Sequence, residues 1–565
     1  MCGIIGILGA GATREVAEKM VAAQAHRGPD FDAVRQVGEN EFLGHNRLSI
    51  IDLSGSANQP FESVCRRYTL VFNGEIYNYR ELQIQLSTDY TFKTQSDTEV
   101  LLAAYIKYGK EVTSYLNGMF SFAVYDAVEK TLFAARDRFG VKPFYYYYAN
   151  DQFIFSSEIA ALFMAGVSKN INYSVWSSYF VYGSYGATDE TFWKNIRQLP
   201  GGSQLIFRNN AVEIKRWYDF AQRVAEVKLL SEIESSLQIE ELLLHATKLR
   251  FRADVPVGFN LSGGVDSSTL LGLIKAQNFD ESLINVFTFV CNDPRYDELE
   301  WVRGMLAGTK FPLHVVPLEY RQVPELFDEL SKHQLEPFGG IPTLAYSQIF
   351  KNARHLGVKV LLDGQGADEA WAGYDYYLNA SDSVIQGTSK SPFRINVLDS
   401  EFRSRAEKPA IEKPFESDLK NLQYRDLFHT KLPRALRFND RVSMLYGTEL
   451  REPFLDYRLV EYVFAQPYDL KIKCGTQKWL LRQIASKYLD HNIVYAPKRP
   501  LQTPQREWLS IELKTWVLEM TECLKTHEFF DGKALVHELD AFFKGDNQSS
   551  FHIWQYISSA KLLFP

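Results

Sequence analysis

VGFNLSGGVDSSTLLGLI (257–274) is the stretch that decides how the second half of this chain folds. VGFNL (257–261) is a short apolar run bounded by turn residues, the pattern of a buried strand. It runs straight into SGGVDSS (262–268), and TLLGLI continues as an apolar helical stretch. A Ser-Gly-Gly turn at a helix N-terminus exposes backbone N–H groups beside the positive end of the helix dipole, which makes a cradle for pyrophosphate. The turn lacks the GxxxxGK[ST] pattern, which argues against γ-phosphoryl transfer.

Around this stretch, the apolar runs INVFTFV (284–290), LHVVPL (313–318) and VKVLLDG (358–364) alternate with helical segments. That alternation predicts a parallel sheet wound by βαβ units. LLDGQGADEAWAGY (361–374) is a second strand end followed by a Gly-rich turn. Two such loops at the carboxyl ends of neighbouring strands lie where open α/β sheets bind ligands. Beyond about residue 420 the pattern is mostly helical, and SDSVIQGTSKSP (381–392) reads as a loop.

The first 215 or so residues read differently. TLVFNGEIYN (69–78), FSFAVYD (120–126), TLFAARD (131–137) and FIFSSE (153–158) are short apolar or alternating runs broken by turns, with helical stretches near 14–25 and 97–108. This predicts a strand-rich α+β layered domain. A polar segment after RWYDF (216–220) places the linker near 220–230, which gives two domains, 1–218 and 219–565.

With 62 basic against 69 acidic residues, the formal charge of −7 excludes the strong positive footprint of a nucleic-acid binder and favours small-molecule chemistry. The N-terminus has no basic n-region, and no apolar window approaches the roughly 18 residues of a membrane span, so a cytoplasmic protein is expected. Five scattered cysteines without a CxxC pair indicate neither a disulfide framework nor a zinc site. Cys2 stands apart. Removal of Met1, expected before a small second residue, would give Cys2 both a thiol and a free α-amine, so that the nucleophile carries its own general base.

Downstream of Cys2 come HRGPD (26–30), NRLSIID (46–52), FNGEIYNY (72–79), SDTE (96–99), GMFSFAVYD (118–126), RDRFGVKPFYY (136–146) and FSSEI (155–159). In this order they resemble the class II glutamine amidotransferase domain, an N-terminal nucleophile αββα sandwich. The resemblance implies an oxyanion pair at Asn73 and Gly74, a side-chain amide beside a sterically open N–H. It also implies a glutamine pocket of Arg47, Ile50, Ile51, Asn73, Gly74, Glu75 and Asp97. Arg47 would face the substrate carboxylate, and Glu75 and Asp97 the ammonium. RDRFGVKPFYY and FSSE are assigned to the domain's own architecture and to its docking onto the second domain.

SGGVDSS resembles the loop of ATP pyrophosphatases (adenine nucleotide alpha hydrolase-like), enzymes that form an acyl-adenylate and release pyrophosphate. This implies ATP contacts at Leu261, Ser262, Gly263, Gly264, Asp266, Ser267, Ser268, Phe289, Asp363, Gly364 and Gln365, and Mg²⁺ held by Asp266 and Asp368. Lys478, in GTQKWLLRQIA (475–485), would face the pyrophosphate. LRFNDRVSM (436–444) and ELREPFLD (449–456) extend the likeness, so that residues 2 to about 510 resemble the glutamine-hydrolysing asparagine synthetase family. The reaction implied is adenylation of aspartate by ATP, then attack by ammonia carried from Cys2 through an interdomain tunnel. A homodimer is one assembly left open.

Four departures gather around the acceptor. Gln365 stands where the family places Glu, LEPFGGIPTL (335–344) is shortened, PKRPLQTP (497–504) replaces RKxGFxxP, and Val290 in FTFVC (287–291) replaces Gly. The acceptor therefore stays open between aspartate and another carboxylate such as a sugar uronate. A glutaminase with an impaired synthetase domain is the competing reading.

Overall fold

The run GIIGILG (Gly3–Gly9) forms a strand buried on both faces, and its alternation explains why. Ile4 and Leu8 join the core between two sheets, whereas Ile5 and Ile7 pack against Ala17, Met20 and Val21 of the helix Arg14–Ala23. In the computed structural model, which describes residues 2–187, 189–381, 383, 391–496, 503–546 and 548–564, this strand lies inside a six-stranded antiparallel sheet. The order is Ile196–Gln198, Tyr145–Ala149, Gln152–Ser156, Gly3–Gly9, Glu41–Arg47 and Phe31–Gly38. A second antiparallel sheet packs against it, in the order Ala211–Arg216, Ser203–Arg208, Thr131–Arg136, Gly118–Asp126, Tyr68–Ile76 and Phe61–Glu62.

The same alternation operates in Tyr68–Ile76. Val71 faces the inter-sheet core, while Leu70 and Phe72 face Leu82, Leu86, Val100 and Leu101 on the helices Tyr79–Leu86 and Asp97–Tyr108. The unit is therefore an αββα sandwich. Ser96 caps the second of these helices, accepting from Glu99 N at 3.2 Å.

After Tyr218 the chain is no bare tether. Tyr218 donates to Glu461 at 2.9 Å, and Phe220, at the start of the short helix Phe220–Ala225, packs edge-on to Phe464. The helix Glu232–Arg250 then starts at a capping box of Ser231 and Glu234. It leads into a five-stranded parallel sheet ordered Leu313–Pro317, Asn285–Val290, Val257–Asn260, Val360–Leu362 and Glu449–Arg451. Helices cover both faces, as an all-parallel sheet requires. From Asp418 onward the described chain is mainly helical. Most of the 381–392 loop, and 497–502 of PKRPLQTP, lie outside the described residues.

Candidate active sites

Cys2 and Asn73 meet because of strand parity. Cys2 continues the even-numbered face of its strand and Asn73 the odd-numbered face of its own, so both point between the sheets. Cys2 N donates to Asn73 Oδ1 at 3.1 Å. Ser157, from FSSEI, accepts Ile4 N at 3.0 Å and lies 3.5 Å from Asn73 Nδ2. Gly74 must be glycine for steric reasons, since a Cβ there would sit 2.2 Å from Met119 O. Burial pushes the Cys2 thiol up, while Arg47 pulls it down.

Around Cys2 a small pocket is walled by Arg47, Ile50, Ile51, Gly74, Glu75 and Asp97. Arg47 holds the pocket's own rim, donating to Ser54 O at 2.7 Å, Asn58 Oδ1 at 2.6 Å and Asp52 O. Asp97 Oδ2 accepts Ile76 N at 3.0 Å, and burial raises its carboxyl to about 6. Glu75 Oε1 is buried without a partner among the described residues, a stranded carboxyl oxygen in the wall that suits an ammonium, and burial pushes this carboxyl well above its ordinary range.

Glu449 completes this wall, and it belongs to the parallel sheet. Beside it, Arg451 binds Glu449 Oε1 at 2.5 Å through Nε and Glu75 Oε2 at 2.9 Å through Nη2. Burial pushes Glu449 up, but Arg451 and Lys142 pull it down, and Glu449 stays ionised.

The second site is a cavity of about 430 Å³ at the carboxyl ends of the parallel strands. Leu261, Ser262, Gly263, Gly264, Asp266, Ser267, Phe289, Asp363, Gly364, Gln365, Asp368 and Lys478 all line it. Ser268 does not. It is fully buried and its hydroxyl turns back onto Gly264 O at 2.8 Å. Lys478 Nζ lies 2.6 Å from Asp266 Oδ2 and 2.7 Å from Asp368 Oδ1. Burial opposes its charge, but the two carboxylates prevail and raise its pKa. Gly373 makes this convergence feasible, because a Cβ there would lie 2.0 Å from Asp368 Oδ1 and 2.2 Å from Lys478 Cε. The Gln365 N–H donates to Asp363 Oδ1 at 2.6 Å, and the Tyr346 hydroxyl donates to Asp363 Oδ2.

The motifs left without a side-chain role at the sequence level turn out to join the halves. Arg27 of HRGPD donates to Cys2 O at 3.1 Å, to Glu158 at 3.1 Å and to Asp440 at 2.8 Å, with its side chain fully buried. Asp30 pairs with Lys359 at 2.7 Å. Sequence reasoning missed Arg27, Ser157, Asp440, Glu449 and Arg451 as site residues. The local signal for them is that each lies inside a motif, HRGPD, FSSEI, LRFNDRVSM or ELREPFLD.

A cysteine held between two sheets and, in the same chain, a Gly-rich turn at the end of a parallel strand define a glutamine-dependent amidotransferase carrying a synthetase domain. Comparison with known proteins agrees: residues 1–218 match the glutamine amidotransferase domain and residues 238–563 match asparagine synthase. The chain belongs to the glutamine-hydrolysing asparagine synthetase family. It is 29% identical to "Asparagine synthetase [glutamine-hydrolyzing] 1" of Bacillus subtilis, over 100% of this chain and 98% of that protein. It is 35% identical to "Putative asparagine synthetase [glutamine-hydrolyzing] 2" of Methanocaldococcus jannaschii, over 67% of this chain and 76% of that protein. "Amidase chyE" of Penicillium rubens is 28% identical over 86% of this chain and 84% of its own length. Among the described residues no helix is long and apolar enough to cross a membrane.

Proposed function

We propose that residues 1–218 hydrolyse glutamine at Cys2 and that residues 219–565 use ATP to adenylate a carboxylate, which the released ammonia converts to an amide with loss of AMP. The observation that carries this reading is the convergence of Asp266 and Asp368 on Lys478 in a cavity walled by SGGVDS (262–267). Two hard carboxylates beside a phosphate-type turn are the donor set Mg²⁺ takes together with phosphate oxygens, so these residues fit the ion. Asp266 and Asp368 would hold it, and it would neutralise charge on the departing pyrophosphate. Lys478 adds a buried cation on the same side. In the first pocket the Asn73 amide and the Gly74 N–H stabilise the oxyanion. Arg47 shapes the rim that takes the glutamine carboxylate, and Glu75 and Asp97 receive its ammonium.

Aspartate, giving asparagine, is the first acceptor to test, since two relatives bear that activity in their names. A sugar uronate is the second. It is favoured by Gln365 and by the neutral wall of Thr343, Tyr346, Ala435, Phe438 and Asn439, whose hydroxyl, amide and aromatic faces suit a polyol body. Purified protein with glutamine, ATP and Mg²⁺ should release AMP and pyrophosphate with one member of a carboxylate panel. Glutamate formation without pyrophosphate for every member would instead identify a glutaminase with a silent second site.

A further inference from the structure

Between the two sites lies a cavity of about 10 Å³. That is on the order of the roughly 10–15 Å³ that one water-sized molecule occupies, and ammonia is that size. One end is formed by Gly118 and Met119, whose strand pairs Met119 with Glu75 and Phe120 with Gly74 in the Cys2 pocket. At the other end Leu455 packs on the turn that carries Gln365, where a Cβ on Gly366 would be 2.3 Å from Leu455 Cδ2. The cavity is thus one strand away from the thiol and one side chain away from the adenylation loop.

The charged groups in and around this wall are nearly all engaged. Arg250 pairs with Asp456 at 2.7 Å, and Arg138 donates to Leu116 O at 2.8 Å and stacks on Tyr457 at 3.7 Å. Asp137 accepts Val141 N at 2.9 Å and Lys142 N at 3.0 Å, and Lys142 Nζ lies 3.9 Å from Asp440. Glu452 is the exception. It is buried and lines the cavity, and no hydrogen bond or ion pair holds its carboxyl among the described residues.

We propose that Glu452 is the holding point for ammonia on its way from Cys2 to the acyl-adenylate, an inference that rests on the two-site reading above. A carboxyl group suits the task because it donates O–H to the ammonia lone pair when protonated and accepts N–H when ionised. If the proton crosses, a carboxylate–ammonium pair forms in the cavity. Its return to Glu452 releases neutral ammonia toward the Gln365 turn, so no proton is gained or lost. Burial pushes the Glu452 carboxyl up to about 8; Asp363 and Asp137 push the same way, against Lys142 and Arg250. An arriving ammonia molecule near neutral pH therefore meets a protonated acid.

The test is the ratio of glutamine consumed to pyrophosphate released under saturating ATP and acceptor, measured on the full chain. Glu452→Leu is expected to raise the ratio from about one to about three or more, because ammonia with no holding group escapes before capture. Glu452→Gln, of the same shape but unable to exchange the proton, is expected to raise it by about two-fold and stands in should the leucine variant fail to fold. A ratio unchanged in whichever of the two variants folds overturns the holding role. Absence of pyrophosphate from the unaltered protein with every acceptor would instead overturn the ligase reading, so the two failures are separable.

Discussion

The Arg27 guanidinium grips the Asp440 carboxylate at 2.8 and 3.3 Å, across 413 residues of sequence and with both side chains buried. Because Arg27 also holds the Cys2 carbonyl at 3.1 Å, the nucleophile's backbone is tied to the second unit. Removing one partner of a buried pair strands the other charge, which costs about 3–5 kcal/mol. Arg27→Ala is expected to lower stability by that order in urea unfolding and to impair glutaminase turnover. Arg27→Lys, which keeps the charge but loses the fork, should fall between it and the unaltered chain.

Cys2→Ala removes the thiol that lines the first pocket. Glutamine-supported amide formation should vanish, and pyrophosphate release with added ammonium should persist, because activation occurs at the other site. Loss of both activities in a folded variant would contradict separate sites.

Asp368→Ala should act in the opposite sense. Lys478 loses one of its two partners and the pyrophosphate side loses a hard ligand, so AMP and pyrophosphate release should drop by about 100-fold or more while glutaminase survives. Coupled assays of glutamate and pyrophosphate on one preparation read both outcomes.

Glu449 reaches the glutamine pocket from the parallel sheet and is bound by the same arginine that holds Glu75. Glu449→Gln preserves shape and removes charge. Its glutamine KM should rise by about ten-fold through the lost ammonium attraction. An unchanged KM would mean that the carboxylate only anchors Arg451.

Glu158 gives a pH signature. Burial raises its carboxyl, but His26 and Arg27 more than offset this and hold it at about 2, below the ordinary carboxylate range near 4.5. A depressed folded pKa stabilises the native state above the unfolded value, and that stability disappears as pH falls from about 4.5 toward 2. Unaltered protein should therefore lose its stability advantage over Glu158→Gln across that window. Unfolding midpoints of the two proteins, compared at a series of pH values, check it.

The fold was legible wherever a local pattern sufficed. Even and odd positions in GIIGILG and TLVFNGEI announce strands buried on both faces, and those parities bring Cys2 to Asn73. Likewise the strand-turn-helix order around SGGVDSS locates the cavity floor. What sequence could not supply was partnership at long range. HRGPD, LRFNDRVSM and ELREPFLD stood out as motifs, yet nothing local tells that Arg27 seeks Asp440 or that Arg451 serves Glu75. Such pairs form only when two units close over buried charge. Ser268 shows how a residue inside a binding motif can turn its hydroxyl inward: the helix starts at Val265, four residues before TLLGLI, and already includes it.

Glutamine carrying heavy nitrogen in its amide, supplied with ATP, Mg²⁺, the acceptor and a large excess of unlabelled ammonium, tests the central claim most directly. Transfer between joined sites predicts product amide enriched in the heavy isotope well above its share of the free ammonia pool. Product whose label merely matches that pool, or glutamate formed with no amide, would contradict it.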